Sequence, residues 1–365
     1  MKNYVLIAAI ATLLACSNAN GSSGNTNQSA QAEAVPAKAD LGFLAKLGVD
    51  VSNIHTLGDP NDTLEYSDFK TLNVDQVLAL VPMAVRTVDR EHLEDWLEDC
   101  YDIVSARALP GGFTMLLFSV QTGDDSSNEM LGIYDKEGNL TDLMQVGDTE
   151  GFIVEECDEA FTQGTAQVTH IKFRFDKPNE LTIDQTDEEG SWKDDGERVL
   201  RELVTVNWLV QTMRRYSIDD QGHLKLIEEK EVKREGKVAP EKDPQNEKNI
   251  IWNLSMLPMN DPDRVDRLNA KANEFIQKHG RAAFEEDNGA FVMAVEEYYN
   301  SNPEALLMWI YNHRNDDNVI AGMFKDLFVG LCRDKSLLVQ DIEQLPDKTA
   351  KQYFKDLTSQ WNPEQ

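Results

Sequence analysis

Seven carboxylates, one lysine and Trp192 crowd the stretch from Asp184 to Glu197. Carboxylate oxygens at this density suit a hard cation such as Ca²⁺, and around an aromatic anchor they suit docking to a basic surface. The plainer reading is a solvated loop between strands. As a place of contact this loop is the best candidate in the chain, carried by Asp187, Glu188, Glu189, Trp192, Asp194 and Asp195. An exposed tryptophan in a polar loop requires a reason.

Other groupings are weaker. Ser217 to Glu228 partly follows a calcium loop, with Asp219 third, Gly222 sixth and Glu228 twelfth. Such a loop normally starts with Asp and sits between helices. Here it starts with Ser217 and its flanks read as strands, so a hairpin accounts for Asp219 and Gly222. His92, Asp95 and Asp99 share one helix face beside Cys100, but no third or fourth zinc ligand is signalled. Ser67-Asp68-Phe69-Lys70 has S-x-x-K spacing, and Ser126-Ser127-Asn128 follows as S-x-N. The pair resembles penicillin-recognising serine enzymes, in which the lysine activates the serine and a K-T-G strand completes the site. No K-T-G is present, and the nearest match, Lys348-Thr349-Ala350, falls on a helical pattern. Motifs for zinc hydrolases, nucleophile elbows and phosphate loops are also missing, and carboxylate pairs are too many to single out a glycosidase pair. No catalytic residue, cofactor site or metal site is assigned.

The elements that must position these residues begin with an address. Met1-Lys2, an apolar run from Val5 to Leu14 and then Leu13-Leu14-Ala15-Cys16 form a charged start, a short core and a small residue before the cut. The run is too short to cross a bilayer, which takes roughly 20 residues. The ending resembles the lipobox of bacterial lipoproteins, which implies that Cys16 becomes the lipidated mature N-terminus. In lipoprotein sorting the following residue matters. Ser17, rather than aspartate, implies the outer membrane, and the expected orientation faces the periplasm. Residues 17–39 are rich in Ser, Asn, Gly, Gln and Ala, without aromatic residues. They cannot bury enough surface to offset ordering entropy, so a flexible leash spanning roughly 25–30 Å is expected.

The remaining chain of about 325 residues suffices for two domains. The formal net charge of the full sequence, −30 from 65 acidic and 35 basic side chains, argues against nucleic-acid binding. It also disfavours anionic lipid surfaces; solubility is its ordinary explanation. Lipidation of Cys16 would leave Cys100, Cys157 and Cys332, so a disulfide framework is excluded. A Cys100–Cys157 bridge stays open, and Cys332 reads as a small packed hydrophobe.

The fold class expected is α+β: an antiparallel β meander, sandwich-like or curled, followed by an all-α helical bundle or short solenoid. The organisation reads as signal peptide 1–15, tether 16–39, helical lead-in plus β domain 40–236, linker 237–249 and helical domain 250–365. In the lead-in, Asn73 opens a helix that Pro82 stops, and Asp89 opens a second through Leu97. From Tyr101 the apolar period becomes two, as in Thr169-Ile171-Phe173-Phe175. A turn recurs: Tyr134–Leu140 aligns with Ile218–Leu224, each with Asp second and Gly fifth, and Phe175–Leu181 is a looser copy. The spacing of these turns is that of propeller blades, yet the β region holds too few repeats for a propeller. Val199–Tyr216 fits a strand or a helix stripe, and is read as strand because it feeds the Asp219–Gly222 turn. After the linker, six helices are expected, opened or ended by Asp261-Pro262, Gly280 and Asn302-Pro303, with the cleanest stripe at Val319–Leu331.

Together these features predict an outer-membrane-anchored lipoprotein acting as a binding or assembly module in the cell envelope. Its partner would be an envelope protein or a glycan, reached from a membrane anchor, with no nucleic acid and no cofactor. The alternative is a hydrolase with a carboxylate site in a cleft between the domains. Two carboxylates of raised pKa in one pocket would favour the enzyme, and an exposed apolar patch would favour assembly.

Overall fold

The computed structural model describes residues 70–84, 97, 100–123, 126–148, 151–158, 162–193, 203–240, 242–244, 246, 258–261, 263–286, 289–316 and 335–359. The first is Lys70, so the signal, the tether, Ser67 and the helix expected from Asp89 lie outside the described residues, apart from Leu97.

The chain divides into two units at Pro244/Gln245. The first holds two antiparallel sheets of five strands, each a meander in which sequence neighbours are hydrogen-bonded neighbours. Sheet 1 comprises β1 (Lys70–Thr71), β2 (Tyr101–Ala108), β3 (Thr114–Gly123), β4 (Ser126–Tyr134) and β5 (Leu140–Asp148). Sheet 2 comprises β6 (Gly151–Cys157), β7 (Gln163–Lys177), β8 (Glu180–Lys193), β9 (Leu203–Ile218) and β10 (Leu224–Gly236). The expected α+β architecture is therefore present, with the meander split into two sheets. Ser126–Asn128 opens β4.

Sheet 1 is apolar on both faces. Met115, Leu116, Leu117 and Phe118 on β3 are consecutive and all buried, the pattern of a strand covered on two sides. The lead-in helix α1 (Val74–Leu80) contributes part of that cover through Val77 and Leu80. Its start is a capping box: Asn73 Oδ1 accepts from the Gln76 backbone N–H, and Gln76 Oε1 accepts from the Asn73 N–H, each at 3.0 Å. The helix end is tied to the sheet by the Tyr134 hydroxyl, which donates to the Leu80 carbonyl at 2.8 Å.

The recurring turns close hairpins. Asp135 Oδ1 accepts from the Glu137 and Asn139 N–H groups, and Asp219 Oδ1 does the same from Gln221 and His223. Gly138 and Gly222 supply the left-handed conformation at φ 82° and 81°. In the looser copy Asp176 instead binds Arg174 and Thr182, and Pro178-Asn179 alone connects β7 to β8. The calcium-loop pattern at Ser217–Glu228 is thus the β9–β10 hairpin. The sheets meet at the tip of this hairpin. Asp142 Oδ2 on β5 accepts from the Leu224 N–H at 2.7 Å, and the Thr141 hydroxyl donates to the Gly222 carbonyl.

The second unit is helical: α2 (Arg264–His279), α3 (Arg281–Glu286), α4 (Gly289–Ser301), α5 (Pro303–Asn312), α6 (Lys335–Gln344) and α7 (Lys348–Ser359). Gly280 ends α2 at φ 88°, and Pro303 opens α5, as their types require. The short α3 was not anticipated. The stripe at Val319–Leu331 and Cys332 lie outside the described residues. Leu268, Phe291, Leu307, Ile342 and Phe354 are at the centre of the apolar core.

Candidate functional site

The strands of sheet 2 are long, at 13 to 16 residues for β7 to β10. Residues directly opposite one another share a face. Register places Thr169 opposite Asp187, Asp187 opposite Val210, and Arg214 opposite Glu229. One face consequently changes from apolar to polar along the strands. Near the Pro178-Asn179 turn it carries Phe173, Phe175, Leu181 and Tyr216. Further along, a hydrogen-bonded ladder crosses four strands. Glu229 accepts from Arg214 Nε at 2.9 Å, and Arg214 Nη1 donates to Gln185 Oε1 at 2.8 Å. Gln185 Nε2 then donates to the Asp187 carboxylate at 3.0 Å, which also accepts from the Thr169 hydroxyl at 2.8 Å. Burial raises the Asp187 pKa above the usual carboxylate range, against the lowering from Gln185, Thr169 and Arg214. A buried polar group costs little once it is bonded, and a connected ladder makes the sheet stiff.

The acidic segment expected as a loop is the second half of β8. This corrects the reading of Asp187, Glu188, Glu189 and Trp192 as a solvated contact loop. A strand sends alternate residues to opposite faces, so these four do not form one cluster. Asp187 enters the ladder. Glu188 reaches His170 diagonally across the strand pair, 3.3 Å away on the other face. Glu189 joins Glu155 of β6 around the Lys242 ammonium. Burial works against the Lys242 charge, but bonds from both carboxylates outweigh it and hold its pKa above the usual lysine value. Trp192 is 3% exposed, so it is packed rather than displayed. Asp194 and Asp195 lie outside the described residues. The clamp also alters the linker expected over 237–249. Lys242, and Asp243 paired with Arg234, fasten its first part to sheet 2.

At the end of the sheet beyond this clamp, β9 outruns its neighbour. β10 pairs with β9 only as far as Gly236 opposite Trp208. Gly236 sits at φ 75°, and a side-chain carbon there would lie 2.2 Å from the Asn207 carbonyl oxygen, so only glycine can close the strand here. Leu203, Thr205 and Val206 continue to pair with β8, yet no described strand lies on their other side. Val204 is 66% and Val206 50% exposed. From Leu203 to Met213 the chain carries no charge. β10, the edge strand beside it, carries Lys225, Glu228, Glu229, Lys230, Glu231, Lys233, Arg234 and Glu235. Charge is the ordinary protection of a sheet edge, and the start of β9 lacks it. This open edge was not picked out from the sequence.

The remaining candidates resolve separately. Neither Cys100 nor Cys157 is in a disulfide. No group of three His, Cys, Asp or Glu residues able to hold a metal occurs among the described residues. Lys70 lies in β1, and Lys348-Thr349 opens α7, whose first turn is capped by Asp347. A second carboxylate of raised pKa, Glu297, belongs to the helical unit and not to the sheet. Burial pushes it up to about 7 although the Arg264 guanidinium donates to it at 3.2 Å. No helix among the described residues is long and apolar enough to cross a membrane.

The class defined by these features is two antiparallel meander sheets and a helical unit. No family model, curated protein or solved structure matches the chain.

Proposed function

We propose that this chain is a lipid-tethered module of the bacterial envelope that binds by accepting an extended segment at the start of β9. The observation that carries the reading is the uncharged, exposed edge at Val204–Asn207. A strand edge offers main-chain donors and acceptors for affinity, and alternate side chains for selectivity. Two features support recognition over catalysis. The raised carboxylates Asp187 and Glu297 lie in different units, and each is bonded within its own network. The ladder and the Lys242 clamp hold the sheet rigid behind the edge, which lowers the ordering cost that the sheet itself meets on binding. The Leu13–Cys16 lipobox supports the tether, and the leash after it would give the module reach.

The test is the size of the complex extracted in mild detergent from native membranes. The wild-type chain is expected to migrate well above its protomer mass, and a Val204→Lys/Val206→Lys double variant at the protomer mass. Identical migration of the two would overturn the reading. Both valines are half-exposed or more, so lysine is tolerated by the fold.

A further inference from the structure

We propose that the chain from Lys237 to Asp243 is an ionic strap, latched by charge across sheet 2 and opened when salt screens those charges. Ionic strength would then set the length of the connection to the helical unit. The strap is independent of the binding edge and does not need an occupant there.

Two anchors hold the strap, and they draw on three strands. At one, the Arg234 guanidinium of β10 grips two carboxylates at once. It donates to Asp243 at 2.8 and 2.9 Å and to Glu231 at 2.9 and 2.7 Å. A planar guanidinium bonded along two of its edges fixes direction as well as distance. Those bonds from Glu231 and Asp243 raise the Arg234 pKa further above its ordinary value. At the other anchor, the Lys242 ammonium is shared by Glu155 of β6 and Glu189 of β8. β7 lies between these two strands, so one ammonium spans a gap that no ladder bond crosses. Burial opposes the Glu189 charge, but Lys242, with the side chains of Trp208 and Asn207, outweighs it and holds its pKa below the usual glutamate value.

Between the anchors the strap holds itself. The Lys242 and Asp243 N–H groups both donate to the Ala239 carbonyl, at 2.9 and 3.0 Å, closing a turn within the segment. Lys237 is exposed, and Val238 and Ala239 are half-buried, so little apolar surface is fixed. The Lys242 and Asp243 side chains are 26% and 25% exposed, within reach of dissolved ions. Between 0.1 M and 1 M salt the screening length falls from about 10 Å to about 3 Å, which weakens such pairs. Opening has a defined consequence, because the unit boundary follows at Pro244/Gln245. The segment after Gly236 would join the connection and add up to roughly 24 Å of reach. Pro240 lacks the N–H that an added strand needs, so the freed chain stays a connection.

The experiment reads hydrogen exchange at the Lys242 and Asp243 amides of the mature chain in about 0.1 M and about 1 M sodium chloride, corrected for intrinsic rates. In the wild type, exchange is expected to quicken at least about fivefold with salt. The Gly138 amide, held in its turn by a bond of 3.0 Å to the Asp135 carbonyl, should change less than about twofold. Lys242→Gln and Asp243→Asn are each expected to exchange fast at the lower salt and to lose the salt response. The double variant should exchange no faster than the faster single one, because two anchors close one strap. Asp243→Asn leaves both strap lysines in place, and trypsin should cut after Lys237 at least about fivefold faster in it than in the wild type at the lower salt. Salt-independent exchange in the wild type would overturn the strap, as would a salt response kept in both variants. Additive effects in the double variant would also overturn it, by showing two separate surface pairs. The wild-type comparison needs no substitution, so the test stands even where a variant fails to fold.

Discussion

Asp142 is fully buried and spends one carboxylate oxygen on the Leu143 N–H and the other on the Leu224 N–H of the second sheet. Asp142→Ala leaves that amide without its acceptor where sheet 1 meets the β9–β10 hairpin. We expect a loss of roughly 2–3 kcal/mol, read as a lower denaturation midpoint of the sheet unit. Gly222 acts at the same junction. A side-chain carbon there would lie 2.7 Å from the Phe113 ring at a positive φ of 81°. Gly222→Ala is expected to cost at least about 1–2 kcal/mol by the same measurement. Glu297 gives a pH signature. Its folded pKa of about 7 stands above its ordinary value of 4.5, so the folded helical unit binds more protons than the unfolded chain between those values. Stability from this group is full below pH 4.5 and is lost as pH rises through 7, by on the order of 3 kcal/mol. Hydrogen exchange of α2 and α4 should therefore quicken between pH 5 and 7.5, once corrected for intrinsic rates. In Glu297→Gln that acceleration should be much reduced, and an undiminished one would assign the pH dependence to another group.

Among the elements, those whose ends are written in local chemistry were legible. Asn73 and Gln76 mark the start of α1, Gly280 the end of α2, and Pro303 the start of α5. The hairpins at Asp135 and Asp219 were readable because aspartate and glycine occupy the slots their turns demand. β8 was misread for a physical reason. Aspartate and glutamate are poor strand formers, and this strand carries them because long-range partners hold them: Thr169, His170 and Lys242. Counting outward from the Pro178-Asn179 turn would set Thr169 opposite Glu188; a register shift between Phe175 and Lys177 moves its partner to Asp187, so that pairing was not readable from the sequence. Nor was the open edge, because it depends on where β10 stops relative to β9. The Lys242 clamp belongs to this scale too. Lys242→Ala leaves Glu155 and Glu189 facing each other with their cation removed. We expect faster exchange in β6 and in residues 237–240, together with a loss of about 1 kcal/mol at low salt. Unaltered exchange there would show that the clamp is not holding the chain.

For the whole molecule, the α+β architecture followed from the change of period at Tyr101 and again after Pro244, since two periodicities call for two kinds of layer. The split of the meander into two sheets was not legible, because it depends on contacts at Asp142 and Gly222 across long stretches of sequence. Attachment is argued at this scale. Cys16→Ser is expected to move the protein from washed membranes to the soluble fraction or to halt its processing, and unchanged attachment of a processed chain would refute the tether. The most direct test of the binding edge is hydrogen exchange at the amides of Val204 and Val206, compared between native membranes and dilute purified protein. The account predicts exchange slowed at least tenfold in membranes, with the charged β10 edge unchanged. Equal, rapid exchange of both amides in the two settings would contradict it.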